Sequence, residues 1–121
     1  MKKIKVGVIG LGVGEQHIIA YQKIPGVEVK SICDIDPKKL TAVANRRNIS
    51  FRFSDYKKIT QDSDIEVVSV CSFDNFHAEQ VISAFDNGKH VFVEKPIALH
   101  RHESESIYNT YINSGKKISS N

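Results

Sequence analysis

The sequence predicts an α/β fold, a doubly wound parallel sheet with helices on both faces, and three observations predict it. Short runs rich in β-branched residues alternate with amphipathic stretches along the whole chain, and the connections between them are short. A glycine turn, Gly10-Leu11-Gly12-Val13-Gly14, joins the first apolar run to the first amphipathic stretch. At 121 residues and 40% hydrophobic composition, the chain fits one compact domain with a real core and is too short for two.

Lys3 to Ile9 reads as the first strand, near-continuously apolar at Ile4, Val6, Val8 and Ile9, as expected where helices cover both faces. A helix follows from about Gly14 with Ile18, Ile19 and Tyr21, and Pro25-Gly26 stops it. Val27 to Cys33 is the second strand, after which Asp36 caps and Pro37 opens a helix with Leu40, Val43 and Ala44 on one face. Ile49 to Phe53 makes a short third strand, and Ser54 is expected to cap a one- or two-turn helix through Ile59. Ile65 to Cys71 is the fourth strand. Ala78, Val81, Ile82 and Phe85, at i, i+3, i+4 and i+7, define the next helix, closed by Gly88. His90 to Val93 is the fifth strand, ended by Glu94-Lys95-Pro96 because proline cannot donate to a ladder. A last helix from about His102 carries Ile107, Tyr108, Tyr111 and Ile112 up to Gly115, and Lys116 to Asn121 looks like a sixth strand that has only begun. Parallel strands joined by right-handed crossovers give a Rossmann-type sheet of order 3-2-1-4-5-6, built from two mononucleotide-binding halves, with the sixth strand short or incomplete.

Composition narrows the function classes. Lys and Arg total 17 against 14 acids, a net charge of +3. The basic residues come as scattered doublets (Lys2-Lys3, Arg46-Arg47, Lys57-Lys58, Lys116-Lys117) with no interleaved aromatics, so no nucleic-acid partner is expected. Met1-Lys2-Lys3 leads into a few apolar residues rather than a signal-peptide core, and no stretch is long enough to span a membrane, which predicts a cytoplasmic chain with no membrane partner. Cys33 and Cys71 end strands that flank the first one, so they stand roughly 9 to 10 Å apart. That is beyond disulfide reach, and both read as reduced, buried hydrophobes.

The turn and one acid carry the first functional signal. Gly10 makes the tight turn, and Gly12 lets backbone N–H groups approach a pyrophosphate at the helix start. The spacing departs from G-x-G-x-x-G: Glu15 stands where the third glycine is expected, and Gly14 comes one place early. On the turn alone, a nicotinamide dinucleotide, S-adenosylmethionine and an ordinary loop all remain open. Asp34, about 20 residues on at the end of the second strand, suits the adenosine ribose hydroxyls and would repel a 2′-phosphate. Neither Ile35 nor Asp36 supplies a cation to hold one, so NAD is favoured over NADP.

Gly88-Lys89-His90-Val91-Phe92-Val93-Glu94-Lys95-Pro96 is the most specific stretch. Together with the glycine turn, Cys33-Asp34, and Phe73-Asp74-Asn75-Phe76-His77-Ala78-Glu79, it resembles the Gfo/Idh/MocA oxidoreductases, the glucose-fructose oxidoreductase and inositol dehydrogenase family, over essentially the whole chain. The resemblance implies an NAD(P)-dependent dehydrogenase acting on a sugar, cyclitol or sugar-nucleotide alcohol. It implies Lys95 as the catalytic lysine, a cation that polarises a substrate hydroxyl, with Glu94 orienting Lys95 or contacting the nicotinamide ribose. It implies a cis bond before Pro96. The expected cofactor-binding set is Gly10, Leu11, Gly12, Val13 and Gly14 of the turn, Asp34, then Ser72, Phe73, Asp74 and His77, and finally Glu94 and Lys95. His77 fits either a packing residue or a direct contact, and His17 fits both the family pattern and helix packing. Phe73-Asp74 stands where the family often has proline then asparagine, which leaves the contact to the nicotinamide ribose open there. His100 and His102, two apart and on different sides of any helix, have no third ligand nearby, so no metal is expected.

Family members normally continue into a second α/β domain that binds substrate and mediates oligomerisation. The expectation is therefore that residues 1–121 are the NAD(P)-binding domain, with the C-terminal substrate domain absent. On its own the chain would bind NAD without useful turnover, as a monomer or a weak dimer through the sixth-strand edge, whereas the full-length parent is a homo-oligomer. Two alternatives share these residues: a non-catalytic dinucleotide sensor or interaction module, and a redox-neutral NAD-dependent glycosidase.

Overall fold

The structure, a computed structural model, describes residues 2–121. Its elements are β1 (Ile4–Ile9), α1 (Gly14–Gln22), β2 (Val27–Cys33), α2 (Pro37–Arg47), β3 (Phe51–Phe53), α3 (Lys57–Thr60), β4 (Val67–Val70), α4 (His77–Asp86), β5 (His90–Val93), α5 (Arg101–Ser114) and β6 (Ile118–Ser120). A 3-10 turn over Asp74–Phe76 precedes α4. The six strands form one parallel sheet in the order β3-β2-β1-β4-β5-β6, as expected, with β6 only three residues long. The order reverses between β1 and β4, which puts a crevice at the carboxyl ends of those two strands.

Strand alternation sorts the core into two clusters, one per face. Val6 and Val8 of β1 pack with Ile18 of α1 and Leu40, Val43 and Ala44 of α2. Val68 and Val70 of β4 and Val91 and Val93 of β5 point the other way, onto Ala78, Val81 and Phe85 of α4. Alternation puts Gly7 on that second face, where Ile59 packs so close that a Cβ on residue 7 would collide with it. Local chemistry sets several element ends. Asp36 Oδ1 accepts from the N–H groups of Lys38 (3.0 Å) and Lys39 (3.3 Å) at the start of α2. Gly115 ends α5 with φ 68°, in the left-handed region.

Three expectations need correction. Ser54 makes no cap for α3; Asp55 does this work, its Oδ1 accepting from the Lys57 N–H at 2.9 Å. Tyr108 and Ile112 are 61% and 54% exposed rather than packed. The inward stripe of α5 runs through Ile107 and Tyr111, with Tyr111 against Phe85, so residues one position further on turn away from the sheet. The third strand begins at Phe51, because Ile49 is used to close α2, its N–H bonded to the Ala44 carbonyl at 2.9 Å. Cys33 and Cys71 are free and buried, and burial pushes both thiols up to about 12, which leaves them unreactive. Among the described residues, no helix is long and apolar enough to cross a membrane.

Candidate functional site

The β1–α1 turn lies directly on the backbone that follows β4. Gly10 has φ +89°, and a Cβ on it would stand 2.5 Å from Ser72 N and 2.6 Å from the Cys71 carbonyl. Only glycine fits both the conformation and the space. At Gly12 the situation is reversed: a Cβ would meet nothing within 4 Å. The protein therefore does not need that glycine for its own packing; it leaves open ground in front of the helix. The amino end of α1 has no side-chain cap, and the N–H groups of Gly12 and Val13 have no acceptor among the described residues. Two unpaired donors at a helix start above an open surface suit a phosphate.

The early third glycine is explained by packing. A Cβ on Gly14 would lie 3.0 Å from Val8 Cγ1 and 3.4 Å from Cys71 Cβ, so Gly14 is the residue that lets α1 settle close to the sheet. Glu15 faces away from the turn, toward α2. Its carboxylate accepts from Arg46 Nε and Nη2 and from Arg47 Nε, each at 2.8 Å. The hydrogen bonds from Arg46, reinforced by Arg47 and only partly opposed by burial, pull Glu15 from 4.5 down to about 2. A carboxyl held below its unfolded value adds stability above about pH 4.5 and loses it as the pH falls toward about 2. Glu15→Gln is therefore expected to lower stability at pH 6 by at most about 1 kcal/mol, given solvent screening, with the gap to the parent closing near pH 2. Urea midpoints across that pH range would show it; a gap independent of pH would contradict the assignment.

Asp34 is 9% exposed and ties the turn to the end of β2. Its Oδ2 accepts from the Leu11 N–H and its Oδ1 from the Asp36 N–H, both at 2.8 Å. Leu11, expected among the cofactor contacts, thus has its backbone donor already committed. A carboxylate has about four acceptor positions, so Asp34 keeps two for hydroxyl donors. Above it lies a cleft of about 600 Å³ whose lining includes Gly10, Gly12, Val13, Asp34, Ser72 and Asp74. Ile35 and Phe73, 64% and 66% exposed, also line it and provide apolar surface for a flat ring. So does Lys39, one helical turn beyond Asp36, a cation that inspection of the residues adjacent to Asp34 overlooks.

The two loops on the other side of the switch point are joined by His77. It is 1% exposed, with Nδ1 2.7 Å from the Pro96 carbonyl and Nε2 2.8 Å from the Ser72 carbonyl. Both ring nitrogens of His77 are turned to backbone carbonyls, and the ring lies outside the cleft lining. Ser72 donates through Oγ to Gln80 Oε1 at 2.5 Å. The Lys95–Pro96 peptide is cis, and Lys95 is exposed at the carboxyl end of β5. Glu94 does not pair with Lys95; its Oε2 lies 2.9 Å from His17 Nε2. Both residues stand beyond the lining of the cleft, toward β5. The His100 and His102 rings, expected to diverge, stack at 5.6 Å, because His100 is the extended residue that precedes α5 rather than part of the helix.

A doubly wound sheet with a glycine turn of unpaired N–H donors at its switch point and an acid at the end of β2 defines the class: a dinucleotide-binding domain. The chain belongs to the Gfo/Idh/MocA oxidoreductase family, whose NAD-binding Rossmann-fold model matches residues 4–121. It is 34% identical over 117 residues to levoglucosan dehydrogenase of Pseudarthrobacter phenanthrenivorans, covering 89% of this chain and 30% of that protein. It is 33% identical to a glycosyl hydrolase family 109 protein of Shewanella pealeana, covering 91% and 26% of the two chains. Its fold matches scyllo-inositol dehydrogenase of Lactobacillus casei, solved with NAD(H) and scyllo-inositol, with a TM-score of 0.91 at 30% identity, covering 98% of this chain and 36% of that one. The chain spans about a third of the length of the curated relatives it matches.

Proposed function

We propose that this chain binds NAD as the nucleotide half of a dehydrogenase acting on a cyclitol or sugar alcohol. The observation that carries the reading is the convergence, in one cleft, of the unpaired Gly12 and Val13 N–H groups with an Asp34 carboxylate that still has acceptor positions free. The donors suit a pyrophosphate, Asp34 suits ribose hydroxyls, and Ile35 and Phe73 suit an adenine ring. NAD, when bound, supplies the hydride acceptor. Lys95 carries the positive charge that polarises the substrate hydroxyl and stabilises the oxygen as its hydrogen leaves.

Calorimetric titration with NAD and with NADP tests the cofactor. Asp34 repels a 2′-phosphate, whereas Lys39 in the same cleft offsets part of that repulsion. The expected preference for NAD is therefore graded, about tenfold, or roughly 1.4 kcal/mol. Absence of binding by either cofactor would refute the reading. The similarity to a glycosyl hydrolase family 109 protein favours a second reading for the whole enzyme, a redox-neutral NAD-dependent glycosidase. Net accumulation of NADH with substrate would decide for the dehydrogenase, and release of a sugar without it for the glycosidase.

A further inference from the structure

His17 lies on α1, one turn past the phosphate-facing end, and both its ring nitrogens are engaged. Nε2 is 2.9 Å from Glu94 Oε2, Nδ1 is 3.2 Å from Ser69 Oγ, and Ser69 Oγ is 2.6 Å from Tyr21 Oη. An ionised carboxylate only accepts, so Nε2 bears the hydrogen toward Glu94. In that tautomer Nδ1 accepts from the Ser69 hydroxyl, which in turn accepts from the Tyr21 hydroxyl. Every donor then points the same way, Tyr21 to Ser69 to His17 to Glu94. Phe92 meets the His17 ring edge-on at 4.9 Å and fixes its plane. The order of carboxylate, imidazole and hydroxyl is that of a hydrolytic triad, but Ser69 is 0% exposed in the middle of β4 and no substrate can reach it. For stability alone, apolar residues at these positions would serve as well. What the chain of bonds adds is a fixed direction for the Glu94 carboxylate.

We propose that His17 is a positioning residue that, through its hydrogen bond, holds Glu94 for the nicotinamide-side ribose of the dinucleotide and so couples the glycine-turn helix to the strand end that carries Lys95. The inference rests on the cofactor reading above. With Asp34 at the end of β2 and the turn above β1, the second mononucleotide falls across the switch point, toward the ends of β4 and β5. Glu94 stands there, its N–H bonded to the Val70 carbonyl at 3.0 Å.

The test compares two probes on the 121-residue chain: NADH, which reaches Glu94, and ADP, which ends short of it. His17→Phe keeps an aromatic ring against Phe92 and removes both hydrogen bonds. The expected result is an NADH Kd raised about tenfold, with ADP affinity unchanged within about twofold. Glu94→Ala should reproduce that pattern, and the double variant should be no weaker than the weaker single one, because both changes break one linkage. Parallel weakening of NADH and ADP would overturn the proposal, since His17 would then only pack the turn helix. Unchanged NADH affinity in either variant would overturn it as well. Should His17→Phe fail to fold, His17→Met removes the same two hydrogen bonds with a more adaptable side chain, and its NADH-to-ADP ratio is read instead. Failure of the parent chain to bind either probe overturns the cofactor reading, and this inference with it; parent binding without the selective loss overturns this inference alone.

Discussion

Gly12→Val is expected to abolish dinucleotide binding, at least a hundredfold loss, while leaving the melting temperature within about 2 °C of the parent. Gly10→Val is expected to do the opposite and strongly destabilise the fold itself. The two glycines are two residues apart in one turn, but they face different neighbours. Around Gly12 a Cβ meets no protein atom within 4 Å, so the folded chain has room for a larger residue. That room is the ground in front of the unpaired Gly12 and Val13 N–H groups, and a branched side chain there holds any phosphate away from both donors. Around Gly10 the neighbouring atoms are backbone, Ser72 N at 2.5 Å and the Cys71 carbonyl at 2.6 Å. They cannot retreat without breaking the bond from the Cys71 N–H to the Ile9 carbonyl at 2.7 Å, which pairs β1 with β4 beyond the strand end. Adding a side chain at φ +89° brings backbone strain as well. The combined cost is expected to exceed about 4 kcal/mol, against a total of roughly 5 to 15 for a domain of this kind. Thermal melting with NADH titration of each variant checks the pair. Undiminished NADH affinity in Gly12→Val would mean that phosphate does not sit on this turn.

What the sequence makes legible follows the range of the physics involved. β2 and β5 coincide with the residues predicted for them, and α2 begins where Asp36 and Pro37 place it, because alternation, capping and turn chemistry act within a few residues. Long-range pairings are another matter. Nothing in the spacing of Glu15 announces Arg46 and Arg47, which reach it only once α1 and α2 lie side by side. The commitment of the Leu11 N–H to Asp34, 23 residues away, is equally invisible before the sheet is assembled. His17 shows the limit most clearly. Its position on the helix fits packing or function equally well, and its bonds to Ser69 of β4 and to Glu94 just past β5 exist only once the sheet is assembled. Tyr108 and Ile112 fail for a related reason: apolar type alone does not say which side of α5 is covered, and the stripe through Ile107 and Tyr111 takes the inner one.

Asp34→Ala is expected to lower stability by about 3 kcal/mol and to remove the preference for NAD over NADP. The first effect comes from the two backbone donors the carboxylate now satisfies, the Leu11 and Asp36 N–H groups at 2.8 Å each. Hydrogen bonds to a charged acceptor contribute about 1.5 to 3 kcal/mol apiece, and the Leu11 bond is buried, so its donor is left without a partner. Loosening Leu11 also loosens the turn, which weakens any dinucleotide. The second effect comes from charge. Removing Asp34 takes away the repulsion felt by a 2′-phosphate and leaves Lys39 as a cation in the lining of the same cleft. NAD affinity should then fall at least tenfold while NADP affinity holds or rises. Because Lys39 is exposed, the NADP gain should shrink as salt is raised from about 0.05 to 0.5 M, and adding Lys39→Met should remove it. Melting without ligand isolates the structural effect, and paired NAD and NADP titrations isolate the electrostatic one. Equal loss of both cofactors at every salt concentration would mean that Asp34 acts only by holding the turn, and that selectivity lies elsewhere in the cleft.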